Sequence, residues 1–503
     1  MANHLFDALF ARHTGSDAVF LRLPDGHVQS YGAFVTSAQR FANALCAHGL
    51  KPGDRMALQL EKSPEMLALI AGAIAAGIVF LPLNSAYTPT EIAYFVQDSG
   101  AKLLVCDGRF AEPLTPVAAA SGAVLSVLNA DGSGDLADLA RRMDRAFSPV
   151  ERAPGDLAGL LYTSGTTGRS KGAMLSHDNL LSNARVLTDC WHFTERDVLL
   201  HALPIFHTHG LFVATNVALL AGCSMIFLPR FEVGEVIRQL PGATAMMGVP
   251  TFYTRLLDEP RLTADLVRGV RLFVSGSAPL LGETHERWRA RTGHTILERY
   301  GLTETGMNTS NPYDGDRRAG TVGRPLPGVE LKICDAQGRA LPRGEIGAVE
   351  VRGPNVFSGY WNMPEKTREE LRANGFFVTG DLGRMDDTGY VTIVGRSKDL
   401  IISGGFNIYP KEVELLLDAL PGVLESAVIG VPHPDFGEAV VAVIVPASDR
   451  APDLDAVVDE LGRNLARFKL PKHIELRDEL PRNAMGKVQK NVLRDALRGR
   501  FRA

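Results

Sequence analysis

Short apolar segments alternate with helical patterns along the chain, and this alternation limits the possible folds most strongly. Residues 55–60 predict a strand that is followed by a helix over residues 65–76, and residues 101–106 predict another strand before a later helix. Chains that alternate in this way bury their strands between layers of helices. We therefore predict an α/β fold. Residues 111–155 show no firm period and give no detailed prediction.

The length of the chain predicts more than one domain. With 503 residues, of which 45% are hydrophobic and 22% charged, the chain can bury large cores and exceeds the usual size of one domain. After a turn at Thr388-Gly389 and a strand over residues 390–394, the polar and glycine-containing residues 395–399 break the pattern. The expected parts are a large layered N-terminal domain over residues 1–394, a connection over residues 395–398 and a small domain over residues 399–503.

The last hundred residues have a pattern of their own. Residues 427–431 and 439–445 predict strands. A helix with one apolar face follows, and its apolar residues are Leu454, Val457, Val458, Leu461 and Leu465. This is enough for a small α+β domain.

Charge excludes some classes of partner. The 53 basic and 57 acidic residues are interspersed and give a net charge of −4, so the sequence has neither a nucleic-acid footprint nor a polybasic membrane anchor. We expect small-molecule partners. The five cysteines have no metal-binding spacing, which predicts free thiols in a reducing compartment; they are Cys46, Cys106, Cys190, Cys223 and Cys334.

One apolar segment could be mistaken for a membrane span. Residues 66–83 (MLALIAGAIAAGIVFLPL) are uncharged and just reach the length that crosses a bilayer. The change from an Ala/Gly-rich stretch to GIVFLPL instead indicates a buried helix followed by a short buried strand. The N-terminus lacks the basic start, apolar run and cleavage site of a signal peptide, so we expect a cytoplasmic protein without membrane contact.

A loop rich in Gly, Ser and Thr stands between an apolar run over residues 157–161 and a helix that Ser176 caps. Its glycines let the backbone present N–H groups, while its hydroxyls and one lysine add donors suited to a polyphosphate. It is not a Walker A loop, because Ser170 precedes the lysine and Gly172 follows it. A flexible connector has the same composition. The candidate phosphate-binding residues are Thr163, Ser164, Gly165, Thr166, Thr167, Gly168 and Lys171.

Five segments in the same order resemble the adenylate-forming superfamily of acyl-CoA synthetases, luciferases and peptide-synthetase adenylation domains. They are residues 162–172 (YTSGTTGRSKG), 300–305 (YGLTET), 379–381 (TGD), 395–414 (GRSKDLIISGGFNIYPKEVE) and 481–490 (PRNAMGKVQK). The segments HTHGL, at residues 207–211, and ERY, at residues 298–300, are most similar to malonyl-CoA and methylmalonyl-CoA synthetases.

The resemblance implies an ATP-dependent acid:CoA ligase that forms malonyl-CoA, and also methylmalonyl-CoA, through an acyl-adenylate, with release of AMP and pyrophosphate. A ligase for another small, aromatic or medium-chain acid is the alternative. A third class, a nucleotide-binding regulator without turnover, is disfavoured because the residues expected to do the chemistry occur together: Lys171, Glu304, Asp381 and Lys487.

The resemblance also implies roles at the nucleotide. Glu304 is expected to bind Mg²⁺, and Thr303 to reach the α-phosphate; oxygen ligands suit that hard ion. Asp381 is expected to accept hydrogen bonds from the ribose, with Arg396 as a second contact. By itself, Asp381 would be interpreted as a turn residue and Arg396 as part of a salt bridge. The expected adenine wall consists of Ser277, Ala278 and the segment Glu298, Arg299, Tyr300 and Gly301.

In similar enzymes the small domain rotates between two half-reactions. Lys487 resembles the lysine that joins the acid and the α-phosphate during adenylation, and Lys398 aligns with the hinge residue. After rotation, a loop whose glycines allow the close approach of a pantetheine arm is expected to face the adenylate. Its residues are Ser403, Gly404, Gly405 and Phe406.

The expected acid pocket contains one cation. Arg299 would hold a second carboxylate by paired hydrogen bonds, whereas a structural salt bridge is the alternative. The histidines at 207 and 209 argue against an amino-acid substrate, and they have no third ligand at metal-binding spacing. The expected acid-binding residues are Arg299, His207, Thr208, His209 and Met307, and His207 joins Lys487, Thr303 and Glu304 in the expected catalytic set.

Lys487 is also a candidate for regulation. Its loop must be reachable by solvent in at least one domain orientation, and the equivalent lysine of similar acyl-CoA synthetases is an acetylation target. Acetylation would remove the positive charge. A protein acetyltransferase and a deacetylase are therefore expected partners.

Overall fold

The structure is a computed structural model and describes residues 3–163, 170–403, 406–447, 452–483 and 486–501. The helices are α1 (His4–Leu9), α2 (Tyr31–Ala47), α3 (Pro64–Ala76), α4 (Pro89–Ser99), α5 (Ala111–Ser121), α6 (Asp135–Arg142), α7 (His177–Cys190), α8 (Asn216–Ala221), α9 (Val233–Gln239), α10 (Pro250–Leu257), α11 (Gly282–Thr292), α12 (Pro364–Glu370), α13 (Pro410–Asp418), α14 (Leu454–Asn464) and α15 (Lys490–Leu497). A π-helix spans His209–Thr215.

The strands are β1 (Val19–Arg22), β2 (Val28–Ser30), β3 (Arg55–Gln59), β4 (Val79–Pro82), β5 (Leu103–Cys106), β6 (Val124–Val127), β7 (Leu157–Thr163), β8 (Lys171–Ser176), β9 (Val198–His201), β10 (Ser224–Phe227), β11 (Ala245–Gly248), β12 (Leu272–Ser275), β13 (Leu297–Leu302), β14 (Gly306–Ser310), β15 (Arg324–Pro325), β16 (Glu330–Cys334), β17 (Gly347–Arg352), β18 (Phe377–Met385), β19 (Val391–Arg396), β20 (Ile401–Ser403), β21 (Phe406–Ile408), β22 (Val423–His433), β23 (Gly437–Pro446) and β24 (His473–Leu476).

Two mainly parallel sheets form the centre of the large domain. One has the order β6-β5-β3-β4-β7-β8, with an antiparallel pair only at β7 and β8; the other has the order β15-β14-β13-β12-β11-β9-β10-β1-β2, with a parallel centre from β13 to β1. Their central strands are apolar along their whole length because helices cover both faces. The predicted α/β fold is confirmed.

The apolar segment over residues 66–83 is buried inside this domain. Ser63 caps α3, Pro64 occupies its first turn and Gly77 ends it with φ +69°, after which β4 begins. Every residue of β4 is buried. The predicted buried helix and strand are confirmed, and within the described part of the chain no helix is long and apolar enough to cross a membrane.

A third, antiparallel sheet carries two of the expected nucleotide contacts. Its order is β16-β17-β18-β19, and the pairing of β18 with β19 sets Asp381 opposite Arg396. On the neighbouring strand β17, Glu350 is fully buried and forms ion pairs with Lys332 (3.0 Å) and Arg372 (2.5 Å). This ion cluster stabilises the sheet that holds Asp381.

The small C-terminal domain has its own cores. In β22 and β23, alternate apolar residues enter two clusters, one with residues of α13 and α14 and the other with residues of α15. Neither cluster shares residues with the cores of the large domain. A separate α+β domain follows from this, as predicted.

Several local expectations differ from the structure. Val457 and Leu461 of α14 are buried, as predicted. Val458 is exposed, because it lies about 100° around the helix from Val457. Leu465 lies outside the helix as its C-cap residue. The connection at residues 395–398 is less irregular than expected, because β19 continues to Arg396 and a 3₁₀ turn follows. The sequence also gave no indication of β8.

We expect Glu350→Gln to lower the free energy of unfolding by about 2 kcal/mol. This is less than the 3–5 kcal/mol typical of fully buried pairs, because Lys332 and Arg372 retain contact with water. Burial disfavours the carboxylate, but hydrogen bonds from Arg372 and Lys332 lower the pKa of Glu350 overall. The ionised form therefore stabilises the fold at neutral pH, and this contribution is lost as the pH falls through the lowered pKa.

Urea denaturation at neutral and acidic pH measures this effect. The matched control is Glu330→Gln in the same sheet, which removes an exposed pair with Arg352 and should change stability by less than about 0.5 kcal/mol. Equal effects of the two substitutions, or a difference that grows on acidification, would contradict the buried-charge explanation.

Candidate functional site

The site begins where Asp381 of β18, Tyr300 of β13 and Arg396 of β19 meet. The Tyr300 hydroxyl donates to Asp381 Oδ2 at 2.5 Å, and Arg396 Nε lies 2.7 Å from Asp381 Oδ1. The Asp381 charge raises the pKa of Arg396, and burial followed by the same charge raises the pKa of Tyr300. Both oxygens of the buried carboxylate are oriented, and each keeps lone pairs for a further donor such as a ribose hydroxyl.

The ends of the phosphate loop are the ends of a β-hairpin. Thr163 closes β7, Lys171 opens β8, and the two residues pair directly across the antiparallel strands. The Tyr94 hydroxyl donates to the Ser170 carbonyl at 2.8 Å. Of the expected loop residues, the structure places Thr163 and Lys171; the others lie outside the described residues, namely Ser164, Gly165, Thr166, Thr167 and Gly168.

Lys171 joins a half-buried network with Glu304. Its ammonium donates to Glu370 at 3.1 Å and to the Tyr360 hydroxyl at 3.1 Å. That hydroxyl lies 2.6 Å from Glu370 Oε2 and 3.1 Å from Glu304 Oε1, so its single proton serves one of two carboxylates. Thr163 Oγ1 is 3.5 Å from Glu304. These hydroxyl and carboxylate oxygens fit a hard cation such as Mg²⁺.

A buried cation without an acidic partner lies beside this network. Arg299 is 3% exposed, its Nε and Nη2 have no hydrogen-bond partner, and no carboxylate of the described residues forms an ion pair with it. Burial lowers its pKa to about 9, which still leaves the guanidinium charged at neutral pH. The side chain lies against Gly276, where a Cβ would stand 2.4 Å from Cζ. No structural salt bridge, the alternative role of Arg299, is present among the residues that the structure describes.

Buried polar groups without partners also occur at residues 208 and 209. Among the described residues, Thr208 Oγ1 and His209 Nε2 have no hydrogen-bond partner, while His209 Nδ1 lies 3.3 Å from Ser277 Oγ. Burial, then the charges of Lys487 and Arg299, lowers the pKa of His207 to about 3, so that imidazole is neutral at pH 7. A buried polar group without a partner is costly, and several together indicate a site for a polar ligand.

The other residues expected in the adenine wall lie close to Arg299 along the chain or on neighbouring strands. Glu298 is buried, accepts a hydrogen bond from the Leu280 N–H at 3.4 Å, and has a pKa raised to about 8 by burial. Ser277, followed by Ala278, has a positive φ of 71°. A Cβ on Gly301 would stand 2.0 Å from a backbone oxygen, so this position requires glycine. Thr303 and Met307 lie on either side of the β13–β14 turn, and Met307 is buried.

Lys487 of the small domain enters the same cleft. Burial lowers its pKa, the charges of Arg396 and Arg299 lower it further, and the charges of Asp381 and Glu304 oppose the shift. The side chain nevertheless stays open to solvent. The backbone N–H of Lys487 donates a hydrogen bond to Asn483 Oδ1 at 2.9 Å, which holds Lys487 next to Asn483.

In this orientation of the small domain, the described residues of the expected CoA loop lie away from the site. Ser403 pairs with Gly437 of β23, and the exposed Phe406 stacks on Phe468 at 4.5 Å, so both contact the small domain itself. Gly404 and Gly405 lie outside the described residues. Lys398 is exposed in the 3₁₀ turn after β19. Its role as a hinge stays a prediction.

Two residues at the site have no signal in the sequence. Tyr360 and Glu370 are ordinary residue types outside the recognised segments, and only the folded chain brings them to Lys171. The paired histidines gave a possible metal signal, but no group of three His, Cys, Asp or Glu side chains among the described residues could hold a metal ion.

Comparisons with known proteins agree with this geometry. The family model described as AMP-binding enzyme matches residues 7–361, and that described as AMP-binding enzyme C-terminal domain matches residues 412–487. The malonate–CoA ligase of Arabidopsis thaliana is 35% identical over 542 residues, covering 98% of this chain and 88% of that protein.

Solved structures of MatB from Rhodopseudomonas palustris are similar over the whole chain. The ATP-bound form has 55% identity and a TM-score of 0.98, covering 99% of this chain and 100% of MatB. The apo form has the same identity and coverage but a TM-score of 0.86. The present arrangement, with Lys487 in the cleft, is therefore more similar to the ATP-bound form.

We expect the amine of Lys487 to react with acetic anhydride faster than that of Lys366 at about pH 8, where amines with a lowered pKa are less protonated. Lys366 is the internal control, because Glu369 and Glu370 raise its pKa. Peptide mass spectrometry after brief labelling across a pH series measures both sites. Equal labelling profiles, or a Lys487 profile displaced to higher pH, would contradict the lowered pKa.

Proposed function

This chain belongs to the AMP-binding enzyme family and is an acid–CoA ligase, and from that premise we propose that its acid is malonate. The observation that carries the proposal is the buried, unpaired guanidinium of Arg299. A pocket for an aromatic or fatty acid needs apolar walls, whereas a buried cation needs an anion to offset its desolvation. The distal carboxylate of malonate supplies that anion.

Other polar groups of the pocket fit the same acid. The unpartnered Thr208 hydroxyl and His209 nitrogen offer hydrogen bonds to a short carboxylate, and the malonate–CoA ligase activity of the Arabidopsis relative supports the assignment. We extend the proposal to methylmalonate, whose added methyl group would lie against Met307, a flexible apolar side chain.

In the first half-reaction, a carboxylate oxygen of the acid attacks the α-phosphorus of ATP, the new O–P bond forms, and pyrophosphate leaves. Negative charge moves from the carboxylate through the phosphoryl group to the leaving pyrophosphate, so nearby cations and donors stabilise the transition state. Lys487 would hold the acid carboxylate and the α-phosphate together. Lys171 and Thr163 would bind the leaving phosphates, and Thr303 would bind the α-phosphate. Asp381 and Arg396 would bind the ribose.

Mg²⁺ belongs to the proposal through Glu304. The Glu304 carboxylate and the hydroxyls of Thr163 and Tyr360 form the oxygen-rich surrounding that such an ion prefers. When bound, the ion neutralises phosphate charge. Glu370 holds Lys171 in this structure, so the triphosphate would compete with that carboxylate for the lysine.

In the second half-reaction, the sulfur of CoA attacks the acyl carbon, the C–S bond forms, and AMP leaves with the electrons of the C–O bond. Because Lys487 would occupy the place that the thiol has to reach, the small domain would have to turn away, which we assign to rotation at Lys398. Rotation would bring Ser403, Gly404, Gly405 and Phe406 to the adenylate. The free cysteines are compatible with our expectation of a cytoplasmic enzyme.

We expect Arg299→Leu to raise KM for malonate by about a hundredfold while activity on butyrate is kept or gained, because the charge binds the distal carboxylate in ground and transition states alike. Gly276→Ala should act in the same direction by about tenfold, since its methyl group displaces the guanidinium. Gly282→Ala is the matched control, with open space around its Cβ. Pyrophosphate release measures all three variants. Unchanged malonate kinetics in Arg299→Leu would move the assignment to another acid.

Lys487→Ala should reduce adenylation by about a thousandfold and leave CoA transfer from supplied malonyl-adenylate nearly unchanged, because the amine serves one orientation of the small domain. Single-turnover assays of each half-reaction separate the effects, with substitution of the exposed Lys51 by alanine as the surface control. Equal loss of both half-reactions would contradict the two-orientation mechanism.

Enzymatic acetylation of Lys487 stays a prediction. Stoichiometric acetylation of Lys487 with full adenylation activity would exclude both the regulatory and the catalytic role of this lysine.

A further inference from the structure

A second buried cation lies in the large domain, away from the recognised segments. Lys62, between β3 and the cap of α3, is 8% exposed. Its ammonium lies 2.8 Å from His201 Nδ1, 2.8 Å from the His201 carbonyl oxygen and 4.2 Å from the ring centre of Phe227. It has no carboxylate partner within the described ranges of the chain. Burying an ammonium is unfavourable, so a side chain needed only for packing would be better apolar.

The contacts of His201 fix the position of its proton. Burial, then the charge of Lys62, lowers the pKa of His201, so the imidazole is neutral at pH 7. Because the Gly210 carbonyl oxygen only accepts hydrogen bonds, the imidazole proton lies on Nε2, and Nδ1 accepts from the Lys62 amine. The Nε2 proton is donated to the carbonyl oxygen of Gly210 at 2.9 Å. The Thr215 hydroxyl donates to the same carbonyl at 2.9 Å. The Gly210 carbonyl is therefore held by two side chains.

That carbonyl belongs to the π-helix His209–Thr215. Such wider turns are rare, occur mostly as local features at functional sites, and need support from their surroundings. A Cβ on Gly210 would stand 2.0 Å from the Pro204 oxygen, so the backbone is pressed against the preceding segment and cannot shift towards it. The first residue of this helix is His209, and the residue before it is Thr208. Each carries a buried polar atom without a partner in the described part of the chain, and burial, then the Arg299 charge, lowers the pKa of His209.

We propose that Lys62 and His201 are positioning residues for the acid pocket, which act through Gly210 to hold the π-helix so that Thr208 and His209 face a short dianionic acid. The inference rests on the proposed function for the location of the acid. It adds a requirement that lies outside the pocket: hydrogen bonds from Lys62 to His201 and from His201 to Gly210. Without these bonds, the polar atoms of Thr208 and His209 no longer face the acid. The residues of β13, β18 and β19 that contact ATP keep their positions.

Steady-state kinetics of Lys62→Met, His201→Leu and His201→Gln test the proposal. Methionine keeps the length of the side chain without donors, leucine removes both imidazole bonds, and glutamine keeps an N–H for the Gly210 carbonyl. We expect Lys62→Met and His201→Leu to raise KM for malonate at least about tenfold and to lower the preference for malonate over butyrate. KM for ATP should stay within about twofold, and His201→Gln should stay within about threefold of wild type for malonate.

Thermal unfolding of each variant distinguishes positioning from simple structure. Lys62→Met removes a buried charge and should keep or raise Tm. Lys102→Met is the control for acid kinetics, which should stay unchanged, because this exposed lysine pairs with Asp54 away from His201 and Gly210. Wild-type malonate KM and acid preference in Lys62→Met would overturn the proposal, as would a lowered Tm with equal losses for malonate and ATP.

The outcomes also separate this inference from the proposed function. If His201→Leu does not fold, the same comparison of KM, acid preference and Tm in Lys62→Met decides the proposal. If wild-type enzyme prefers another acid to malonate, the proposed function fails. The positioning role is then decided with that acid, by the same rise in its KM and the same constancy of KM for ATP.

Discussion

The site depends on a positive charge that the protein does not neutralise by itself. Arg299 is buried on β13 with unpaired guanidinium nitrogens and no carboxylate partner among the residues described. Removal of a charge from water is unfavourable, and the fold has to supply that free energy from its large apolar cores. An anionic substrate recovers part of it on binding. In our proposal, specificity for a second carboxylate follows from the same charge that destabilises the free enzyme.

The arrangement of the sheets brings the two kinds of chemistry together. β13 carries Arg299 and Tyr300 on consecutive residues, so that one side chain enters the acid pocket and the other reaches Asp381. Asp381 lies on a different, antiparallel sheet, whose last strand ends at Arg396, next to the small domain. We therefore propose that the acid and the nucleotide bind next to each other along β13, close to the small domain. Lys487 completes the site from the small domain.

The sequence predicted the parts of this site that are local. The phosphate loop, the segment of Glu304 and the loop of Lys487 are contiguous patterns, and the alternation of strands and helices gave the fold class. Lys62, Tyr360 and Glu370 escaped prediction because each is a single side chain brought to its partner by tertiary pairing between distant segments. The strand β8 escaped because its residues, KGAMLS, follow no alternation and are ordered by pairing with β7. The exposure of Val458 also escaped prediction, because it depends on how much of the surface of α14 the rest of the small domain covers.

The most direct measurement of the central claim is pyrophosphate release by the wild-type enzyme with ATP, Mg²⁺ and a matched panel of acids: malonate, methylmalonate, butyrate and benzoate. A buried guanidinium that is paired only by a dicarboxylate predicts kcat/KM for malonate about a hundredfold above that for butyrate, with benzoate lower still. Equal or greater kcat/KM for butyrate or benzoate would contradict the account of Arg299 as the site of the second carboxylate.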